Sequence, residues 1–482
     1  MSPKEHPLEF LFHPRSVAVV GASTTQGMGG GFVTALLEIK YPGQLYPVNP
    51  KAEELQGLKC YPRLLDVPGQ VDYVISSVPA QVVPQLIEDC AAKGVKAIHF
   101  FTAGFSETGE ADRAEMETQV LHRARELGIR VIGPNCMGLY CPEAGLSFMP
   151  GMPNEPGPVG MASQSGANAG DVCRTGGARG LRYSKAISYG NAADLDESDF
   201  FEYLAQDPKT EVILGYIEGV KDGHRFLNAL RTAATAKPVI ILKGGRTEAG
   251  GRATMSHTGS LAGALQVFDA ACRQAGALRV DSIDELIDCA VAFLFVRGLS
   301  GPRVGIVGAG GGHSVLAADE VAAAGLQVPP LPEETQRALA EFTPIAGTSV
   351  RNPVDTNVGW GPDGPRLQRE TLRLVAEAPN IDVIFFQAHV GWGPGRRGGG
   401  GFDPIEQAKQ LAVSTGEAMA QFGKPVVAAI RPPLTPEAME ATAAFQEEAA
   451  ARGLATYPSV GQAARALRRL LEWQAGREAM EV

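Results

Sequence analysis

KGGRTEAGGRATMSHTGSLAG, Lys243 to Gly263, follows the apolar run PVIIL and leads into LAGALQVFDAACRQAG. The run before it is continuous and rich in β-branched residues, as expected of a strand buried on both faces of a parallel sheet. In the segment after it, Leu261, Leu265, Phe268 and Cys272 recur at helical spacing on one face. Strand, turn and helix in that order form the repeating unit of a parallel α/β sheet. His257 therefore falls in a Gly/Thr/Ser-rich loop at a strand's carboxyl end, where open α/β sheets receive ligands. Ser256, Thr258, Gly259 and Ser260 leave room for a bulky anion beside the imidazole and supply donors to hold it. Most lone histidines are structural or surface residues; this loop favours a nucleophile.

The same strand-to-glycine start recurs three times along the chain, as VAVVGAS, VGMASQSG and VGIVGAGGG. After the first, GQLYPVNPK ends in Asn49 and Lys51. A dinucleotide site would carry an acid here for a ribose hydroxyl, whereas a cation suits phosphate, or is an ordinary surface lysine. VDYVISSVP, VKAIHFFTAGFSE and IRVIGPNCMG complete a first sheet. The Pro/Gly-rich stretch from Pro142 to Pro158 and the segment Arg297–Arg303 mark boundaries. Three domains are expected, over 1–145, 155–297 and 302–482.

In the second domain, Ser163, Gln164, Ser165 and Gly166 open a helix. Its unpaired amides suit phosphate, and a serine cap on any helix reads the same way. Glu218 ends the strand EVILGYIEG, on the sheet edge that carries His257, either as a partner for the imidazole or as a salt-bridged strand-end acid. Asn191 in YGNAAD has a supporting place. In the third domain, Gly310, Gly311 and Gly312 form a loop able to cradle phosphate. His313 stands where a Walker A loop has lysine. Val390–Pro404, VGWGPGRRGGGGFDP, reads as a surface loop or as a lid with two arginines.

Composition narrows the function classes. With 43 Lys+Arg against 53 Asp+Glu, the net charge of −10 argues against nucleic acid and anionic membranes as partners. Seven scattered cysteines form neither a disulfide framework nor a metal site, and a reducing, cytoplasmic setting is expected. The segment MSPKEHPLEFLFHPRS lacks the apolar centre of a signal peptide, and no apolar run reaches the length of a membrane span.

SHTGSLAG after a strand ending in Lys-Gly-Gly-Arg, followed by FDAACRQAGALRVDSIDEL, resembles the NDP-forming acyl-CoA synthetases. More narrowly, it resembles the α subunits of ADP-forming acetyl-CoA synthetase type, in the succinyl-CoA synthetase superfamily. The resemblance runs over nearly the whole chain and implies three doubly wound α/β domains, one Rossmann-like and CoA-binding, two flavodoxin-like. It implies that Gly21, Ser23, Lys51, Val78, Pro79 and Asn135 line the CoA site. It also implies that SQSG holds the phosphate of a phosphohistidine at His257, and that YIEG supplies Glu218 as the histidine's partner. RNPVDTNVG matches the family's third domain, while AGGGHS stands where the family usually has AGGPG.

No ATP-grasp segment is evident in the chain. ATP or ADP and Mg2+ are therefore expected on a separate ATP-grasp β subunit, in a hetero-oligomer such as α2β2. A non-catalytic CoA-binding sensor on the same fold and a nucleotide-binding dehydrogenase are the alternatives. The intact His257, Glu218 and SQSG set speaks against the first, and Asn49 with Lys51 against the second.

Overall fold

The computed structural model describes residues 6–23, 30–258, 265–308, 310–344, 347–356, 364–390 and 403–481, without the side chains of 30, 255–258, 364–365 and 479–481. The chain divides into two compact units, residues 1–177 with 182–286, and residues 178–181 with 287–482.

The first unit holds two sheets. In the first, β1 (Ser16–Val20) and β2 (Gln44–Val48) pair side by side, and a small hairpin, β3 (Glu54–Leu55) and β4 (Leu58–Lys59), follows. Then come β5 (Tyr73–Ser76), β6 (Ala97–Phe100) and β7 (Arg130–Ile132), giving the order β2-β1-β5-β6-β7 with every pairing parallel. Right-handed crossovers in that order place helices on both faces. All five residues of β1 are accordingly buried. Ala18, Val74, Ile98 and Val131 share one core with Leu86 and Ile87 of helix Val83–Ala92.

The second sheet comprises β8 (Gly138–Tyr140), β9 (Pro156–Ser163), β10 (Tyr183–Ser188), β11 (Val212–Ile217), β12 (Val239–Lys243) and β13 (Leu278–Val280). Its order is β13-β12-β11-β9-β10-β8, parallel except for β8, which runs antiparallel on β10. The chain thus passes from the end of β7 straight into the second sheet. Gly138 makes that passage at φ +86°, and a Cβ there would lie 2.4 Å from the His99 ring. Only glycine fits both conditions.

The second unit has one parallel sheet, β14 (Val304–Gly308), β15 (Val354–Asp355), β16 (Val383–Ala388), β17 (Val426–Ile430) and β18 (Ala455–Tyr457), in the order β15-β14-β16-β17-β18. Ile384, Phe386, Ala428 and Ile430 form its core with Phe445 of helix Pro436–Ala451.

Counting each sheet from its glycine-tailed strand, all three follow the order 2-1-3-4-5, the flavodoxin-like doubly wound arrangement. The recurrence of VAVVGAS, VGMASQSG and VGIVGAGGG in the sequence is therefore a recurrence of topology. Each sheet gathers its strand ends, and the loops after them, on one edge.

The segment after β12 departs from the sequence reading. Residues Glu248–Thr258, expected as part of a loop, form an α-helix, so His257 lies in its last turn. The Thr247 hydroxyl accepts the Gly250 amide at 3.0 Å, capping the start. Glu248 and Arg252 pair at 2.7 Å one turn apart. Two adjacent glycines suggest a loop, but a capped start and a run through Ala253 and Met255 outweigh the roughly 1 kcal/mol that each interior glycine costs. The next helix, Leu265–Ala275, buries Phe268 and Cys272 as the spacing predicts. Leu261 lies outside the described residues, as do 391–402 of the arginine-bearing segment.

Candidate active site

Strand ends along the second sheet bring four elements to one edge. β12 ends in Lys243, whose side chain is 3% exposed. Its ammonium donates to the carbonyl of Glu218 at 2.6 Å and to that of Gly244. Burial lowers its pKa, and Glu218 opposes that effect. The Phe268 ring lies 5.7 Å from Nζ. A lysine thus ties the strand end that carries the acid to the start of the segment that carries His257.

Glu218 follows β11 and is 7% exposed. Tyr216 donates to Oε1 at 3.1 Å, while Oε2 is buried with no donor among the described residues. A carboxylate oxygen left this way costs about 1–3 kcal/mol, and an N–H brought to it recovers that cost. Gly244 keeps the acid accessible from the next strand, since a Cβ there would sit 2.7 Å from the Tyr216 hydroxyl and 3.1 Å from Glu218 Cγ.

From β9 come Ser163 and Gln164. Gln164 Oε1 accepts the amides of Glu218 and of Gly219, the latter at 2.9 Å, so the side chain expected on phosphate straps β9 to β11. The Ser163 hydroxyl donates to the Ser165 carbonyl at 2.7 Å and accepts its amide at 3.2 Å. Ser165 caps helix Gly166–Ala178 by accepting the Asn168 amide at 3.3 Å. The amides of Gly166 and Ala167, at the first turn of this helix, have no intrahelical acceptor, and with the helix dipole such a start suits an anion.

After β10 come Tyr189 and Asn191. The Tyr189 hydroxyl is fully buried with no partner among the described residues. Asn191 is 5% exposed and donates from Nδ2 to Glu107 Oε2 at 2.6 Å, leaving its own Oδ1 buried and unpaired among those residues. The other oxygen of Glu107 accepts the amides of Gly104 and Phe105 at the end of β6. Helix Glu248–Thr258 packs against this turn, Ser106–Thr108. The helix bearing His257 and the Glu107–Asn191 pair are therefore neighbours. Glu197, behind Tyr189, is buried, and burial raises its carboxyl to about 7.

Sequence reasoning missed Lys243, Glu107, Tyr189 and Glu197. One signal was present for Lys243, a lysine directly ending a buried apolar strand. The others follow from loop packing between the two sheets, which carries no local pattern.

The first sheet brings its expected residues to one edge as well. Gly21 follows β1 at φ +88°, and a Cβ there would lie 2.7 Å from the Ser77 carbonyl. Val78 and Pro79 follow β5, at the switch point where the connections from β1 and β5 diverge. Asn49 donates to the Ala22 carbonyl at 2.6 Å and accepts the Lys51 amide at 2.8 Å, which fixes the backbone of an otherwise exposed Lys51. Half-buried Ser23 ends the β1 loop, and Asn135 follows β7 with its amide on Thr102 O at 3.0 Å. The cradle at Gly21 and the cation at Lys51 fit a phosphate-bearing ligand such as CoA.

In the second unit, Gly310 takes φ +102° and donates to Asp355 Oδ2 at 3.1 Å, setting Gly311 and Gly312 at the start of helix Gly311–Ala323. Asp355 Oδ1 and Ser314 Oγ are buried without partners among the described residues. His313 is exposed, its ring perpendicular to His389 at 6.3 Å. All seven cysteines are buried and free. Among the described residues no helix is long and apolar enough to cross a membrane.

Residues 15–142 match the family model described as a CoA binding domain, and residues 156–293 that of a succinyl-CoA ligase like flavodoxin domain. The chain is 41% identical over 379 residues to the α subunit of acetate–CoA ligase [ADP-forming] II of Pyrococcus furiosus, covering 78% of this chain and 81% of that one. It is 36% identical over 473 residues to the α subunit of acetate–CoA ligase [ADP-forming] I of the same organism, covering 97% of each. Among solved structures it superposes on the dinucleotide-forming acetyl-coenzyme A synthetase 1 of Ca. Korarchaeum cryptofilum, determined with phosphate and ADP. That match has a TM-score of 0.79 and 32% identity, covering 98% of this chain and 97% of that one.

Proposed function

The chain belongs to the ADP-forming acetate–CoA ligase family as an α-subunit-type acid–thiol ligase, and from that we propose how its sheets divide the reaction. Acyl-CoA, phosphate and ADP are interconverted with free acid, CoA and ATP. CoA, when bound, supplies the thiol that carries the acyl group. In our reading residues 1–145 hold CoA, with Gly21, Ser23, Lys51, Val78, Pro79 and Asn135 lining its site. Residues 155–297 carry the phosphoryl-transfer centre, and 302–482 supply a second anion-binding helix start at Gly310, Gly311 and Gly312.

At the centre, the Gly166 and Ala167 amides hold phosphate beside the capping Ser165, with Ser163 and Gln164 fixing the geometry. His257 takes the phosphoryl group from an acyl phosphate, whose carboxylate leaves. Glu218 accepts one imidazole N–H, so the other ring nitrogen is the nucleophile. Lys243 and Gln164 hold the backbone on which that acid stands. The observation that carries this reading is Glu218 Oε2, a buried carboxylate oxygen without a donor among the described residues, at the edge where the His257 helix begins its course. Positioning and fixed donors supply most of the catalysis in such a transfer.

We further infer that the partner is an ATP-grasp β subunit holding the nucleotide and Mg2+, in an α2β2 or similar assembly. The α-subunit relatives support a separate partner. No loop among the described residues pairs a glycine-rich turn with the lysine that reaches nucleotide β/γ-phosphates. Purified chain given acyl-CoA and phosphate is expected to gain a phosphoryl group yet make no ATP from ADP, until the partner is added. Sustained ATP synthesis by the single chain would overturn this division.

A further inference from the structure

We propose that Met137 forms a wall of the acyl pocket and sets the largest acyl group the enzyme accepts, an inference that rests on the function proposed above. The segment Pro134–Met137 carries the chain from the carboxyl edge of the first sheet to that of the second. It is fixed on both sides. The Asn135 amide donates to Thr102 O at 3.0 Å, the Met137 amide to Ser188 Oγ at 3.0 Å, and the Asn191 amide to Pro134 O at 2.9 Å. Gly190 packs so closely that a Cβ there would lie 2.2 Å from Pro134 O and 2.4 Å from Asn135 O. The backbone is thus pinned, while the Met137 side chain is only half-buried.

That side chain lies on the first residue of helix Gly166–Ala178. A Cβ at Gly166 would sit 2.3 Å from Met137 Cγ and 3.2 Å from its Cβ. An apolar thioether therefore borders the amides assigned to phosphate. Beside the same helix start stands Glu218, more than nine-tenths buried, with Oε2 lacking a donor among the described residues. Met137 meets this helix start at Gly166, and Glu218 is tied to it through Gln164, which immediately precedes Ser165.

The chemistry sets what must lie there. A phosphate oxygen bonds to the thioester carbonyl carbon while the carbon–sulfur bond breaks, and the thiolate leaves to take a proton as CoA. The acyl group is therefore bonded through one oxygen to the phosphorus at the helix start, and its sulfur arrives from the Asn135 side. Met137 is two residues from Asn135 on the fixed segment and lies against Gly166, so it borders both positions. Its unbranched side chain moulds to an apolar neighbour and excludes one that is too long. A single methylene in such a pocket changes specificity about 10–200-fold.

The test uses the full chain with its nucleotide-binding partner, inorganic phosphate and a panel of thioesters from acetyl-CoA through hexanoyl-CoA to phenylacetyl-CoA. In Met137→Ala the ratio of kcat/KM for the larger acyl groups over acetyl is expected to rise about tenfold or more. In Met137→Phe it falls, and Met137→Leu, of similar volume, holds it within about threefold. A purely structural role would lower all thioesters together and leave the ratios alone. Unchanged ratios in both the alanine and phenylalanine variants would overturn the proposal. If the wild-type chain forms no phosphohistidine with any thioester, the underlying reading of the site fails instead, a result distinct from an unchanged ratio.

Discussion

Oε1 of Gln164 accepts the backbone amide of Glu218, so the residue that leads into helix Gly166–Ala178 also fixes the strand end bearing the acid. The same oxygen takes the Gly219 amide at 2.9 Å. Two buried N–H groups therefore depend on one carboxamide. Gln164→Leu should cost about 1–3 kcal/mol of stability for the donors it strands, and should slow phosphorylation as well. Glu218→Gln should leave the melting temperature nearly unchanged while slowing phosphorylation about ten- to a hundred-fold, since it removes one charge-assisted hydrogen bond. Thermal melts alongside single-turnover labelling separate the two. A Glu218→Gln chain as fast as wild type would remove the acid from the mechanism.

At the first sheet, Gly21→Ala should abolish CoA binding, because the new Cβ meets Ser77 O at 2.7 Å on a backbone held at φ +88°. Lys51→Ala should be milder and selective. If Lys51 contacts the 3′-phosphate, titration calorimetry will show CoA weakened more than dephospho-CoA. Equal weakening would move the contact to the diphosphate, and no weakening would exclude Lys51 from the site.

His99 lies inside the first unit with the Tyr73 hydroxyl 2.8 Å from Nδ1, and burial drives its pKa from 6.5 down to about 3. The folded chain keeps this ring neutral, whereas the unfolded chain protonates it below pH 6.5. Its stabilising effect is therefore complete above pH 6.5 and is lost as pH falls towards about 3, a swing on the order of 5 kcal/mol. Denaturant unfolding between pH 7 and 4 should show His99→Leu with a flatter decline than wild type by up to one proton. Parallel declines would place the acid sensitivity elsewhere.

The three strand-turn-helix starts made the fold legible, because a buried parallel strand is a continuous apolar run and a glycine turn must follow it. The shared 2-1-3-4-5 order came only with the structure, since crossover rules set the hand of each connection and not which strands lie side by side. The placement of Ser165, Glu218, Asn135 and Gly21 just after strands was legible for the same reason as the starts themselves, and strand ends are where such sheets receive ligands. The helix at Glu248–Thr258 was not, because Thr247 caps it across residues that look like a loop. Glu107 was invisible too. It comes from the first sheet and orients Asn191 of the second, a contact that depends on how two sheets pack and not on any spacing along the chain. Gln164 was assigned to phosphate from its motif, while its side-chain oxygen holds two strand-end amides instead.

The central claim is that His257 carries the phosphoryl group, and labelling tests it most directly. Intact chain given an acyl-CoA and radiolabelled phosphate should gain one acid-labile, base-stable phosphoryl group, located on His257 by peptide mapping. His257→Ala should gain none while still binding CoA and melting like wild type. Label on a serine, or label undiminished in His257→Ala, would contradict the account.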